Sequence, residues 1–169
     1  MKKACCFIFV MFFAILGCAG MQARPSENLE KIVEIPGFTK NQIFDQTKIY
    51  IAENFKSAKA VLEYENKETG TIIGNGRIPF PTGGGIEAVA LKEWTAPFTL
   101  RIDIKEERFR CTFTNIAIEW PATYGRFAMP AGGRSVFYAQ EFERISREIL
   151  NIPSAIESSI KRSKTKDNW

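Results

Sequence analysis

Strict alternation over two consecutive arms constrains this chain more than any other feature. Phe98, Leu100, Ile102 and Ile104 alternate with Thr99, Arg101, Asp103 and Lys105. After Glu106 and Glu107 the pattern returns, with Phe109, Cys111 and Phe113 set against Arg108, Arg110, Thr112 and Thr114. Successive side chains of a strand point to opposite faces, so the two arms make a hairpin that is apolar on one side and polar on the other. A sheet of that kind buries one face under helices and leaves the other wet.

The upstream sequence supplies a helix for the covered side. Lys31–Ile35 reads as a strand ended by Pro36 and Gly37, and Thr39 with Gln42 three positions on forms a capping box. Ile43, Phe44, Ile51 and Phe55, together with Thr47 and Tyr50, make one apolar stripe at helical spacing. Lys59–Glu65 and Thr71–Ile78 read as two further strands joined through residues 66–70. Ile72, Gly74, Gly76 and Ile78 share one side of the second of these, where small residues let a helix approach closely.

The connection from Pro79 to Pro97 is long, with Ile86–Trp94 expected as an extra edge strand. Neither Gly74–Gly76 nor Gly83–Gly85 is followed by a Lys-Ser/Thr pair, and neither is expected to open a helix, so a phosphate cradle is disfavoured. Past the hairpin the apolar parity shifts to Ile116, Ile118 and Trp120, as a bulge would cause. Pro121–Arg134 reads as a loop, and Ser135 as the cap of a helix with Tyr138, Phe142, Ile145 and Ile149 on one face. Pro153 breaks or kinks that helix, and Ser154–Lys161 continues as a short one.

The residue inventory removes whole classes of chemistry. There is no histidine, so no Ser-His-Asp or Cys-His arrangement can be assembled. Of the four cysteines, Cys5, Cys6 and Cys18 lie in or just after an apolar leader, which leaves Cys111 alone in the body of the chain. A thiolate-imidazole zinc site and an intrachain disulfide framework are both excluded. Carboxylate-based magnesium or calcium sites stay open to such a composition, but no Asp-rich loop with metal-ligand spacing occurs, and no cofactor site is expected. Cys111, between Phe109 and Phe113, is expected as a buried core thiol. The formal charge is +4, with 23 basic and 19 acidic residues, but Lys2 and Lys3 belong to the leader. What remains is too weak a bias to argue for nucleic acid as a partner.

Met1–Lys3 is a charged start, and Ala4–Leu16 an apolar run of signal-peptide length. It ends in Ile15, Leu16, Gly17 and Cys18, which resembles the bacterial lipobox. That resemblance implies cleavage before Cys18 and acylation of its thiol, and Ala19 after it goes with outer-membrane sorting in that class. The competing reading is an ordinary secretory peptide cut near Ala19 or Ala23, leaving a soluble periplasmic protein. The expected organisation is a lipoprotein signal peptide over 1–17, a flexible tether over 18–30, one α+β domain over 31–163 and a basic frayed tail over 164–169.

Two blocks of sequence resemble a known family. Ile32–Phe44, running on through Ala52–Ala58 to Gly70–Gly76, is one; Ile102–Arg110 with Phe113–Asn115 is the other. Both are similar to a bacterial domain family of unknown function with a TBP-like (TATA-binding-protein-like) fold, common in secreted proteins of Bacteroidetes. The resemblance implies a β-α-β-β-β-β-α order, a curved antiparallel sheet with two helices on one face, which agrees with the residue-level reading. It brings no catalytic residues, and fold alone does not fix function.

The open face is expected to carry Glu63, Glu65, Arg77, Arg101, Asp103, Arg108 and Arg110. Three functions compete for it. The first is a non-catalytic binding or scaffold module, anchored to the membrane through lipid on Cys18 and facing an envelope protein or glycan. Its bland counterpart is a solvated face of weak charge pairs. The second is a carboxylate-dependent envelope hydrolase, with Glu63 and Asp103 facing each other across the sheet. The third, nucleic-acid binding by fold analogy, lacks a basic, ring-bearing face.

Overall fold

The computed structural model describes residues 28–55, 62–126, 128–136 and 138–166, with residues 164–166 described as backbone only. Among the described residues the strands are β1 (Leu29–Glu34), β2 (Leu62–Asn66), β3 (Thr71–Pro79), β4 (Thr95–Lys105), β5 (Arg108–Thr114), β6 (Ala117–Trp120) and β7 (Gly132–Ser135). The helices are α1 (Lys40–Asn54), α2 (Gly85–Ala90), α3 (Ala139–Ile149) and α4 (Asn151–Lys166). The main sheet is antiparallel throughout, in the order β1-β5-β4-β3-β2. This is the α+β architecture expected from the sequence, with a curved, unclosed sheet.

The alternating arms form the centre of the sheet. Ile102 pairs with Cys111 and Leu100 with Phe113, so the apolar positions of β4 and β5 fall on one face. There α1 packs over β4 and β5, and α4 over β1. Ile35, Ile43, Ile102, Cys111, Phe113, Ile156 and Ile160 are fully buried between the layers. The capping box opens α1: the Gln42 amide donates to Thr39 Oγ1 at 3.3 Å, and the Thr39 amide to Gln42 Oε1 at 3.0 Å. Ile43, Phe44, Thr47, Tyr50 and Ile51 make its buried stripe.

The β4–β5 turn does more than reverse the chain. Glu107 holds a left-handed φ of 58°, a position where glycine is the usual choice. Its carbonyl accepts from the Ile35 amide at 2.7 Å, and its carboxylate from the Gly37 amide at 2.8 Å. Glu106 Oε2 accepts the Lys40 amide at 3.0 Å, which places a negative charge on the first turn of α1. The two glutamates thereby fasten the hairpin to the start of the helix, and these contacts offset the strained backbone.

Several expected elements differ in detail. Gly76 does lie inside β3, but the group closing on its bare α-carbon is the ring of Phe98 on the neighbouring strand, with Phe55 from the end of α1 behind it. Ile86–Trp94 is not an edge strand: residues 85–90 turn into the short helix α2, which opens on the last glycine of the Gly83–Gly85 run, a run not expected to open a helix. Gly84 and Gly85 take φ of 93° and 61°, which a strand does not allow. Between β5 and β6 the expected bulge appears as an interruption, with Asn115 at φ 53°. Thr99 pairs with Thr114 and Thr95 with Glu119, so five steps on one side face four on the other.

The 121–134 loop contains β7, which pairs with β6 from Gly132 against Trp120 to Ser135 against Ala117. Gly132 leaves room for the Trp120 indole, whose Nε1 donates to the Pro130 carbonyl at 3.2 Å. Ser135 therefore lies in a strand, and Tyr138 stands at the start of α3 with no side-chain cap. The break between the last helices falls at Leu150, ahead of Pro153. The proline sits in the first turn of α4, where its missing amide is tolerated.

Candidate open-face recognition site

Because the strands alternate, burying Phe98, Leu100, Ile102, Ile104, Phe109 and Phe113 sends their neighbours to the far side. Arg77, Arg101, Asp103, Arg108 and Arg110 all share that open face, and its arginines are exposed, with no helix among the described residues over them. Glu30, Ile32 and Glu34 of β1 extend it on one side.

Asp103 is its electrostatic centre. Arg101 grips it with Nε at 3.0 Å from Oδ2 and Nη2 at 2.9 Å from Oδ1. Arg110 Nη2 donates to Oδ2 at 3.2 Å, and Thr71 Oγ1 to Oδ1 at 3.3 Å. The Arg101 bonds, followed by those of Arg110 and Thr71, hold the Asp103 carboxyl below its ordinary range. Arg110 also reaches Glu30 at 3.4 Å, and Arg77 pairs with Glu119 of β6 at 2.6 Å.

Lys105 and Arg108 differ from these. They are direct cross-strand partners, and neither has a carboxylate within ion-pair distance among the described residues. Glu34 stands opposite Arg108 on β1 without closing on it. The two turn glutamates between Lys105 and Arg108, Glu106 and Glu107, are bonded to the Lys40 and Gly37 amides instead. Beside them lies a shallow recess of about 230 Å³, lined by Ile32, Asp103, Lys105, Arg108, Phe109 and Arg110.

Two sequence expectations fail here. Glu65 is not on the open face: it pairs with Lys48 of α1 at 2.8 Å on the helix side. The register of β2 slips between Leu62 and Tyr64, so Glu63 is an inserted residue and the parity after it reverses. Nor do Glu63 and Asp103 meet. Glu63 accepts from the side chain of Asn75, which is the partner of Thr99, and Thr99 is four residues from Asp103 along β4. That is about 13 Å of strand. The acid pair required for paired-carboxylate hydrolysis is thus not assembled at these residues.

Cys111 is fully buried, and desolvation pushes its thiol well above the ordinary range, which suits a packing role. Among the described residues no cluster of three or more acidic or thiol side chains is placed to hold a metal, and no helix is long and apolar enough to cross a membrane. Cys18 lies outside the described residues.

The family described as a domain of unknown function (DUF4468) with TBP-like fold matches residues 30–119. The chain belongs to this family. The match ends within β6, so the β7 wing and the two C-terminal helices lie beyond it. Among solved structures, this DUF4468 chain is similar to a TBP-like protein from Parabacteroides distasonis, with a TM-score of 0.59 and 12% identity over 80% of this chain and 93% of that one. It is also similar to a DUF4468 family protein from Bacteroides ovatus, with a TM-score of 0.54 and 13% identity over 86% and 90% of the two chains. No curated protein matches it. At such identities the likeness establishes the fold, and the chemistry of the open face stands on this chain's own residues.

Proposed function

We propose that this DUF4468 chain is a non-catalytic binding module of the cell envelope, anchored in the outer membrane by lipid on Cys18 and facing the periplasm. The open face is its contact surface for an envelope protein or glycan bearing anionic groups. The observation that carries this reading is the unpaired Lys105–Arg108 couple. Like charges directly opposite each other destabilise a sheet, and every other arginine on this face is matched. An anionic group bound between the two cations removes the repulsion, and Ile32, which is 61% exposed, offers an apolar contact beside it.

Arginine on a rigid strand also loses little freedom on binding and can clamp a carboxylate or phosphate through two bonds. The face as a whole is balanced in charge and poor in rings, which argues against nucleic acid as the ligand.

The test is cross-linking and pull-down from intact envelopes. Lys105→Ala with Arg108→Ala lowers capture about tenfold or more, while Arg77→Ala, whose arginine is already paired, changes it little. Unchanged capture by the double variant leaves the solvated-face reading standing. Cys18→Ala, examined separately, moves the protein from the membrane fraction to the soluble one. A variant that still sediments with membranes after a high-salt wash overturns the anchor.

A further inference from the structure

The short helix α2 is built inside out. Ile86 and Val89 are spaced three apart and so share one helical face. An ordinary surface helix would press that face inward and send Glu87 to water. Here Glu87 folds back: Oε2 accepts the Gly83 amide at 2.8 Å, and Oε1 accepts Arg144 of α3 at 2.8 Å. Those bonds hold its carboxyl below the ordinary range, the Gly83 amide foremost. Ile86 and Val89 are left 89% and 74% exposed, and no residue of the helix is buried. The clamp from Glu87 to Arg144 fixes this orientation.

The position of α2 in the fold suggests what covers it. β3 and β4 run on past the end of β5 to Pro79 and Thr95, and α2 lies in the connection between those two ends. β1 begins at Leu29 opposite Phe113, so the chain enters the sheet at this same end. The Lys105–Arg108 turn is at the other end. Cys18 precedes Leu29 by eleven residues, a reach of about 40 Å when fully extended. A contact between the Trp94 and Trp120 rings, 5.2 Å apart, ties the α2 connection to the β6–β7 wing. The loop of that wing carries Tyr124, which is 92% exposed.

Resting on the anchored reading above, we infer that Ile86 and Val89, with Tyr124 at the rim, form a bilayer-facing surface. It sits in the headgroup region of the membrane to which Cys18 is attached, and the Lys105–Arg108 end points away from that membrane. Apolar side chains with an interfacial aromatic suit that environment, and Lys92 nearby lies 3.9 Å from Glu93, with both side chains exposed to water.

The test uses the full chain with Ile86→Cys or Val89→Cys carrying an environment-sensitive fluorophore. Lys105→Cys serves as the distal control, with vesicles of phosphatidylethanolamine and phosphatidylglycerol as the probe. With vesicles, the labels at 86 and 89 shift to the blue and are quenched by brominated lipid, while the label at 105 does neither. In the Cys18→Ala background at saturating lipid the shift persists, and adding Ile86→Asp with Val89→Asp weakens vesicle partitioning about tenfold or more. Labels that stay water-like in both backgrounds overturn the inference. A blue shift that needs no vesicles and grows with protein concentration also overturns it, in favour of a second copy on this face. Flotation of the Ile86→Asp, Val89→Asp variant with and without Cys18→Ala reads the anchor alone, so the two readings fail separately.

Discussion

The covered and open faces of the sheet are made from the same strands, residue by residue, yet they obey different rules. On the covered face the positions are large, apolar and interlocked; Phe98 and Phe113 meet edge to face with centroids 5.6 Å apart. On the open face the same backbone carries charges that are largely matched to one another around Asp103. Burial rewards volume and shape on one side, and stability there is spread over many contacts. On the other side each exposed ion pair contributes little, so the face is free to vary its chemistry without unfolding the domain. A fold that separates stability from surface chemistry in this way suits a scaffold for recognition.

The largest expected effect is on the covered side. Phe113→Ala removes a fully buried ring and costs about 3–5 kcal/mol in chemical denaturation. A loss below about 1 kcal/mol would mean that the layers are not packed as described. Cys111→Ser comes next, at about 1–3 kcal/mol, because a hydroxyl replaces a thiol that packs among apolar groups. Rapid labelling of Cys111 by a thiol reagent in the folded protein would contradict its burial.

Asp103→Asn tests the other face through pH. The Asp103 carboxyl is lowered in the folded state, so its contribution is fully present above the unfolded value and is lost as pH falls through the folded one. Wild type should therefore lose its advantage over Asp103→Asn below about pH 4. The difference at neutral pH should be about 1 kcal/mol or less, since the partners are half exposed. An advantage that persists unchanged to lower pH would show that the carboxylate is not held by its arginines. The smallest effect is that of Lys105→Ala with Arg108→Ala. It leaves stability within about 0.5 kcal/mol of wild type, or slightly raises it by removing a like-charge pair. A clear loss of melting temperature would assign these residues to the fold.

Much of the fold was legible because its signals are local. Alternation in β4 and β5 and the Thr39–Gln42 capping box each involve neighbours a few residues apart. The misplaced features have non-local causes. Glu65 faces the helix because of a register slip against β3, which leaves no mark in the sequence of β2 itself. Residues 132–135 pair as a strand because Trp120 and β6 accept a glycine edge beside them, although Gly-Gly-Arg-Ser has little strand propensity. The left-handed glycines at 84 and 85 and the grip of Glu87 on Arg144 turn the Ile86 segment into a helix.

Of the candidate site, alternation alone determined that Arg77, Arg101, Asp103, Arg108 and Arg110 share a face. The residue content alone excluded histidine-based triads and a thiolate-imidazole zinc site, because a group that is absent cannot be supplied by folding. Only the tertiary structure decided which charges are satisfied. Arg101 and Arg110 converge on Asp103, whereas Arg108 and Lys105 face each other with no acid in reach among the described residues, because the turn glutamates between them are bonded at the start of α1. Alternation fixes the side a residue points to; its neighbours on that side come from strands distant in sequence, and their register is set by packing across the whole sheet.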